Sequence, residues 1–181
     1  PGSSSMAAHI ALHEVGAPFE AKPVSFATNG NRAPEILALN PEGKVPILVI
    51  DGRPLTEVAA ILFYLARRFP EAALLPAGDV EQEAQAISWM SFIASTLHPA
   101  RGKGGEIART AFAIADARIG ARDWALGDRY SIADIHLFRL FWRLRYAGLA
   151  PVGAFQNLDR HCAAMMRRPA VERAHRHGLD R

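Results

Sequence analysis

The segment from Val45 to Phe69 constrains the fold most. Val45 to Ile50 is a short β-branched apolar run, Asp51-Gly52 is a two-residue hairpin signal, and Arg53 to Leu55 supplies the returning strand. The spacing then turns helical, with Thr56 placed to cap a helix over Glu57 to Phe69. Upstream, Ser5 to Val15 carries apolar residues at helical spacing and stops at Gly16. Phe19 to Phe26 reads as a strand. Asn31 to Leu39 reads as a short helix ended by Asn40-Pro41, because a residue before proline avoids the helical region. The order is α-β-α-β-β-α.

Beyond this point no strand pattern recurs. Pro70 to Gly78 is punctuated as a linker by Pro70, Pro76 and Gly78, which divides the chain into residues 1–70, a linker over 71–79 and residues 80–181. The last part is helical throughout, over Val80 to Leu97, Glu106 to Gly120, Ile132 to Ala147, Ala154 to Arg167 and Ala170 to His175. The sharpest boundary is Ser131-Ile132-Ala133-Asp134, where a hydroxyl residue precedes an acid by three positions at the head of an apolar run. That pattern is a capping box, worth about 1 kcal/mol.

At 181 residues and 50% hydrophobic, the chain has enough apolar side chains for a sizeable core. No apolar run reaches the ~20 residues of a membrane helix, and no signal peptide is visible. Cys162 is the only cysteine, so an internal disulfide is excluded, which fits a reducing cytosol. In its helix with Ala163, Met165 and Met166 it reads as buried and inert. The net charge of +3 comes largely from late arginines, among them Arg139, Arg143, Arg145, Arg167 and Arg168. With no nucleic-acid motif beside them, they read as solvated helix faces. Gly102-Lys103-Gly104-Gly105 lacks phosphate-loop spacing and reads as a loop. His9 and His13 are four apart on a helix but have no third ligand in the sequence, so no metal is expected.

Four motifs in order resemble the glutathione transferase superfamily, most closely its bacterial beta class. They are the start from Pro1-Gly2-Ser3-Ser4-Ser5-Met6 to Leu12, the run Asn40-Pro41-Glu42-Gly43-Lys44-Val45-Pro46 with its hairpin and Leu55-Thr56-Glu57-Val58, His98 at the end of a helix, and the box Ser131 to Asp134. The resemblance covers nearly the whole chain. It implies a thioredoxin-like N-terminal domain followed by an all-helical C-terminal domain. It also implies a cytoplasmic homodimer that uses glutathione as co-substrate, without metal, in detoxification. In that family a central strand precedes the first loop, and the segment after His98 is longer. Residues are therefore expected before Pro1 and near Arg101 to Gly105, unless Pro1 to Ser5 is a cloning scar ahead of Met6.

The same resemblance assigns the site residues. The Val45-Pro46 peptide is expected to be cis, with the Val45 backbone pairing with the cysteinyl part of glutathione. Glu57 and Val58 open a helix whose free N–H groups suit the γ-glutamyl carboxylate, with Glu57 near the ammonium. Many family members have serine where this chain has Val58, so one hydroxyl bond is lost. Lys44 either reaches the glycyl carboxylate or is simply solvated. Ser4 stands where the beta class usually has cysteine. It either donates a hydrogen bond to the glutathione thiolate or is a plain helix cap, with Ser3 and Ser5 as rivals. His98 matches an active-site histidine. Trp89, Phe92, Phe138, Phe141 and Trp142 are core residues, some of them candidates to line a pocket for an electrophilic, apolar second substrate. The main expectation is conjugation of glutathione to that substrate. The alternatives are a non-catalytic binding module, or an isomerase or lyase using glutathione as cofactor.

Overall fold

A computed structural model of the chain describes residues 2–179. Helix α1, Ser5–Glu14, buries Met6, Ala7, Ala8, Ile10, Ala11 and Leu12. Its three buried alanines let neighbouring helices approach closely. It ends where Val15 N–H bonds the Ala11 carbonyl and Gly16 turns to positive φ, as the glycine stop predicts.

Phe19 to Phe26 is irregular and does not form the expected strand. Among the described residues the sheet holds two strands, β1 (Leu48–Ile50) and β2 (Arg53–Leu55). A strand exists only through the neighbour it pairs with, and Pro23 within the run removes a ladder donor. The next expected helix is also divided. A 3₁₀ turn covers Gly30–Arg32, and α2 covers Pro34–Leu39. Pro34 drives Ala33 to extended backbone (φ −61°, ψ 142°) and then starts the helix at its first position. Asn40, before Pro41, is extended and ends α2 as expected.

The hairpin forms in the register Leu48↔Leu55, Val49↔Pro54 and Ile50↔Arg53, with Asp51 and Gly52 both at positive φ. The first strand is shorter than the apolar run that suggested it, because Val45 and Pro46 leave the ladder to line a cleft. Thr56 does not cap the following helix. Helix α3, Val58–Arg68, takes Glu57 as its N-cap residue, without a side-chain cap bond. It buries Val58, Ile61, Leu62, Leu65 and Ala66, a helical stripe facing α1 and α7.

The helical half begins at Asp79, whose carboxylate accepts from Gln82 N–H at 3.0 Å and caps α4, Val80–Phe92. A π-helical turn, Ile93–Leu97, continues it into α5, His98–Lys103. His98 therefore does not end the helix, and the expected loop at Gly102-Lys103 is helical as far as Lys103. Pro99 is accommodated near the start of α5, where its missing N–H is tolerated, and the wider π turn lies just upstream. Then follow α6 (Gly105–Ile119), α7 (Ile132–Tyr146), α8 (Gln156–Met166) and α9 (Pro169–Leu179).

Helix α7 is buried from Ile132 to Phe141 and packs against α1, α3, α4 and α8. Its capping box is present, and Asp134 does more than close it. One carboxylate oxygen accepts from Ser131 N–H (2.8 Å) and Ser131 Oγ (3.1 Å). The other accepts from Ala125 N–H (2.7 Å) and faces His161 Nε2 at 3.0 Å. The two halves are also joined at the surface. Arg168 bonds Glu14 at 2.7 and 3.1 Å and stacks 3.5 Å over the Tyr130 ring, whose hydroxyl donates to Glu14. That cluster ties α1, and Ser4 at its head, to the helical half.

Asp134→Ala should lower stability by about 3 kcal/mol or more in chemical denaturation, because several buried donors lose their acceptor together. Ser131→Ala, which removes the cap hydroxyl alone, should cost about 1 kcal/mol. Equal losses for the two variants would show that Asp134 acts only as a helix cap.

Candidate functional site

Ser4, Lys44, Val45, Pro46, Glu57, Val58 and His98 all line one cleft of about 250 Å³, although they come from separate segments of the chain. Ser3 and Ser5 do not line it. Ser4 is the N-cap residue of α1, but its hydroxyl makes no cap bond, so the plain capping reading does not hold. The Val45-Pro46 peptide is cis. Lys44 is exposed and holds Glu42 Oε1 at 3.1 Å.

The loop that presents Lys44 and Val45 is clamped from below. Asn40 Nδ2 donates to the Lys44 carbonyl at 2.9 Å, and Asn40 Oδ1 accepts from Glu42 N–H at 3.1 Å. Asn31 Nδ2 donates to the Gly43 carbonyl at 3.0 Å. Gly43 is required here: φ is +63°, and a Cβ would meet the Asn31 carbonyl oxygen at 2.7 Å.

Glu57 has φ 66° and ψ 122°, an uncommon conformation for a residue with a side chain. Such backbone persists where the surroundings hold it in place, and functional sites concentrate it. It delivers the chain into the N-terminus of α3, where the first N–H groups have no intrahelical partner and the helix dipole is positive.

The opposite wall belongs to the helical half. His98, at the start of α5, has its pKa lowered by burial first and then by the positive charges of Arg139, Arg101 and Lys44. Its imidazole is therefore neutral at neutral pH. His136 of α7 also lines the cleft, is 2% exposed, and has its pKa pushed well down by burial, then by Arg139 and His98.

Ala59, Ala94 and His136 line the cleft without having been singled out from the sequence, and Asn40, expected as a helix stop and motif residue, lines it too. For His136 a signal existed. His136 and Arg139 are polar residues three apart inside the apolar run Ile135 to Leu144, where only a special environment accommodates them. The aromatic candidates are not walls of this cleft, although Trp89 lines a separate cavity with Arg118 and Arg122. Trp89, Phe138 and Phe141 are buried, Phe92 and Trp142 pack onto the core, and none of the five lines the cleft. Cys162 is buried, and its thiol pKa is raised chiefly by that burial. Among the described residues no group of three His, Cys, Asp or Glu side chains is placed to hold a metal ion. No described helix is long and apolar enough to cross a membrane.

Two family models match the chain: the N-terminal domain of glutathione S-transferase over residues 1–67 and its C-terminal domain over residues 95–169. The first match includes the serines before α1. Glutathione S-transferase GST-4.5 of Xanthomonas campestris pv. campestris is 34% identical, across 86% of this chain and 87% of the relative. A maleylacetoacetate isomerase of Rhizobium meliloti is 32% identical, across 96% and 91%. Among solved structures, a glutathione transferase homologue from Sulfitobacter with bound glutathione superposes with a TM-score of 0.88 at 29% identity, covering 99% of this chain and 95% of that one. The bacterial beta class glutathione S-transferase of Sphingomonas chungbukensis superposes at 0.82 with 35% identity, covering 99% and 96%. The chain belongs to the glutathione S-transferase family, with its thioredoxin-like half followed by a helical half.

Buried His136 and half-buried His98 predict an acid-side weakness. Their folded pKa values lie below the ordinary 6.5, so the unfolded chain takes up their protons first. The stability they contribute is complete above about pH 6.5 and is lost as the pH falls through the folded values. Denaturation at about pH 7.5 and about pH 5.5 should show wild type losing stability, and His136→Leu losing less. An identical loss in both would contradict the neutral, buried state of His136.

Proposed function

We propose that the protein is a glutathione transferase that binds glutathione in this cleft, stabilises its thiolate and joins it to an electrophilic second substrate. The convergence of Ser4, Val45, Glu57, Val58 and His98 on one cleft carries the reading. Family membership and the glutathione-bound neighbour support it.

In this reading the Val45 backbone pairs with the cysteinyl part of glutathione in the manner of an added strand. The γ-glutamyl carboxylate takes the N–H groups at the head of α3, and Glu57 pairs with the ammonium. Val58 offers its backbone N–H alone, with no hydroxyl. Lys44 can exchange its exposed pairing with Glu42 for the glycyl carboxylate. A free thiol has a pKa near ~8.5 and is only slightly ionised at neutral pH. Lowering it by about two units needs roughly 2.7 kcal/mol of selective stabilisation of the thiolate. The Ser4 hydroxyl, as donor, supplies part of this. The positive charges of Arg139, Arg101 and Lys44, which after burial lower the His98 pKa, favour the anion in the same direction.

The isomerase-named relative favours a second reading, in which glutathione is a cofactor returned unchanged. Product analysis separates the two: a conjugate accumulates in the first, and free glutathione is recovered in the second. We further propose a cytoplasmic homodimer acting in detoxification. The lone, inert Cys162 and a thiol substrate suit a reducing compartment, and static light scattering at high micromolar concentration should give twice the chain mass.

Calorimetric titration with glutathione tests the site. Glu57→Ala should weaken binding about tenfold, or about 1.4 kcal/mol, because the ligand ammonium loses its charged partner. Equal affinity in the two proteins would remove Glu57 from the site, and calorimetric silence in both would favour a non-catalytic module. Ser4→Ala should lower the conjugation rate at neutral pH more than it weakens glutathione affinity, with the deficit shrinking at alkaline pH. A pH–rate profile matching wild type throughout would remove Ser4 from the chemistry.

A further inference from the structure

The cleft holds one polar side chain to which the contacts with glutathione described above give no task. His136 lines the cleft from the second turn of α7 and is 2% exposed. Neither of its ring nitrogens has a hydrogen-bond partner among the described residues, and both are shut off from bulk solvent. It stands inside the apolar run Ile135 to Leu144, where a leucine would pack without leaving polar atoms unmatched. Buried polar groups are ordinarily paired, because an unmatched donor or acceptor keeps the full cost of leaving water.

The rest of the cleft defines what His136 can meet. The Val45-Pro46 turn, Glu57 and the head of α3 belong to the thioredoxin-like half, and in the reading above they take the peptide portion of glutathione. The helical half contributes Ala94, His98 and His136, so its polar groups there are imidazoles. Helix α7 packs against α1, which Ser4 heads, so Ser4 and His136 reach the cleft from neighbouring helices. In the same reading the cysteinyl sulfur lies beside Ser4, on this side of the cleft. After burial, the charges of Arg139 and His98 hold the His136 pKa well below its usual value, so the ring is neutral. Lys44 and Glu57 are the other charged groups of the cleft wall, and α1 and α3 add only Ser4, Val58 and Ala59. A neutral imidazole carries one N–H donor, and an anionic acceptor makes the stronger bond to it. With neither nitrogen committed to a partner, either can carry that proton.

We propose that His136 donates a ring N–H to the sulfur of bound glutathione and acts, with Ser4, as a catalytic residue that favours the thiolate. This rests on the glutathione transferase reading above. The thiol proton passes to solvent and the sulfur keeps the bonding pair. His136 retains its own proton throughout, so it is a donor and not a general base. An oxygen of the second substrate is the other acceptor for this N–H, and the test separates the two.

Thiolate absorbance is titrated with pH on the glutathione complexes of wild type, His136→Leu, His136→Asn and His136→Gln, with no second substrate added. Affinity for S-methylglutathione, which has the peptide portion but no ionisable thiol, is measured by calorimetry in parallel. In His136→Leu the bound thiol should titrate about one pH unit higher, which is about tenfold less thiolate at a pH below both values. At least one amide variant should recover part of that shift, since asparagine places an N–H near the Nδ1 position and glutamine near Nε2. Affinity for S-methylglutathione should stay within about twofold. An unchanged titration in His136→Leu overturns the proposal, and an unchanged titration with a raised KM for 1-chloro-2,4-dinitrobenzene assigns the N–H to the second substrate instead. A shift that neither amide recovers, or that comes with an equal loss of S-methylglutathione affinity, marks a packing defect and overturns the proposal as well. If His136→Leu does not fold, a crystal structure of wild type with glutathione decides: a ring nitrogen within hydrogen-bonding distance of the sulfur sustains the proposal, and a sulfur beyond its reach overturns it. If wild type binds neither glutathione nor S-methylglutathione, the transferase reading has failed and this proposal fails with it.

Discussion

Helix α7 is buried along its first ten residues, and the Asp134 carboxylate holds its N-terminal end in place. That carboxylate accepts from Ser131, from the Ala125 backbone and from the direction of His161, with no exposure to solvent. The low dielectric around it strengthens each of these bonds and makes leaving any donor unmatched costly. The orientation of α7 depends on this anchor, and so does everything α7 presents two and five residues later. His136 lines the cleft, and Arg139 lies buried one turn further on, because Asp134 fixes the helix start.

The cleft itself is assembled from two kinds of wall. The thioredoxin-like half offers backbone: the Val45-Pro46 turn, clamped by Asn40 and Asn31, and the N-terminus of α3, entered through the unusual φ of Glu57. The helical half offers side chains: His98 and His136, both held neutral by burial and by neighbouring cations. A backbone wall suits recognition of a peptide-like ligand. A wall with a positive field suits an anion next to it, whether a thiolate or a carboxylate. The ion pairs and stacking among Glu14, Arg168 and Tyr130 keep α1 against the helical half, so Ser4 is carried to the same cleft as His98.

The sequence made these walls visible unequally. The hairpin, the Asn40-Pro41 stop and the Ser131-Asp134 box are written in local rules, in which one or two residues dictate backbone geometry, and the structure has all three. The strand expected at Phe19 to Phe26 does not form because pairing is not local, and Pro23 removes a donor within it. The helix end expected at His98 is absent because the π turn upstream lets the helix run on past Pro99, which no local rule at His98 announces. His136 and Arg139 escape a reading of the sequence because arginines late in a helical half have the pattern of solvated charges. Only the burial of α7 on every side reveals Arg139 as a buried cation.

The central claim is that this cleft makes bound glutathione more acidic. The most direct measurement is the ultraviolet absorbance of the thiolate, titrated with pH on the complex of wild-type protein and glutathione. The account predicts that the bound thiol ionises well below the ~8.5 of a free thiol. A bound thiol that titrates at or above the free value would contradict it, however tightly glutathione is held.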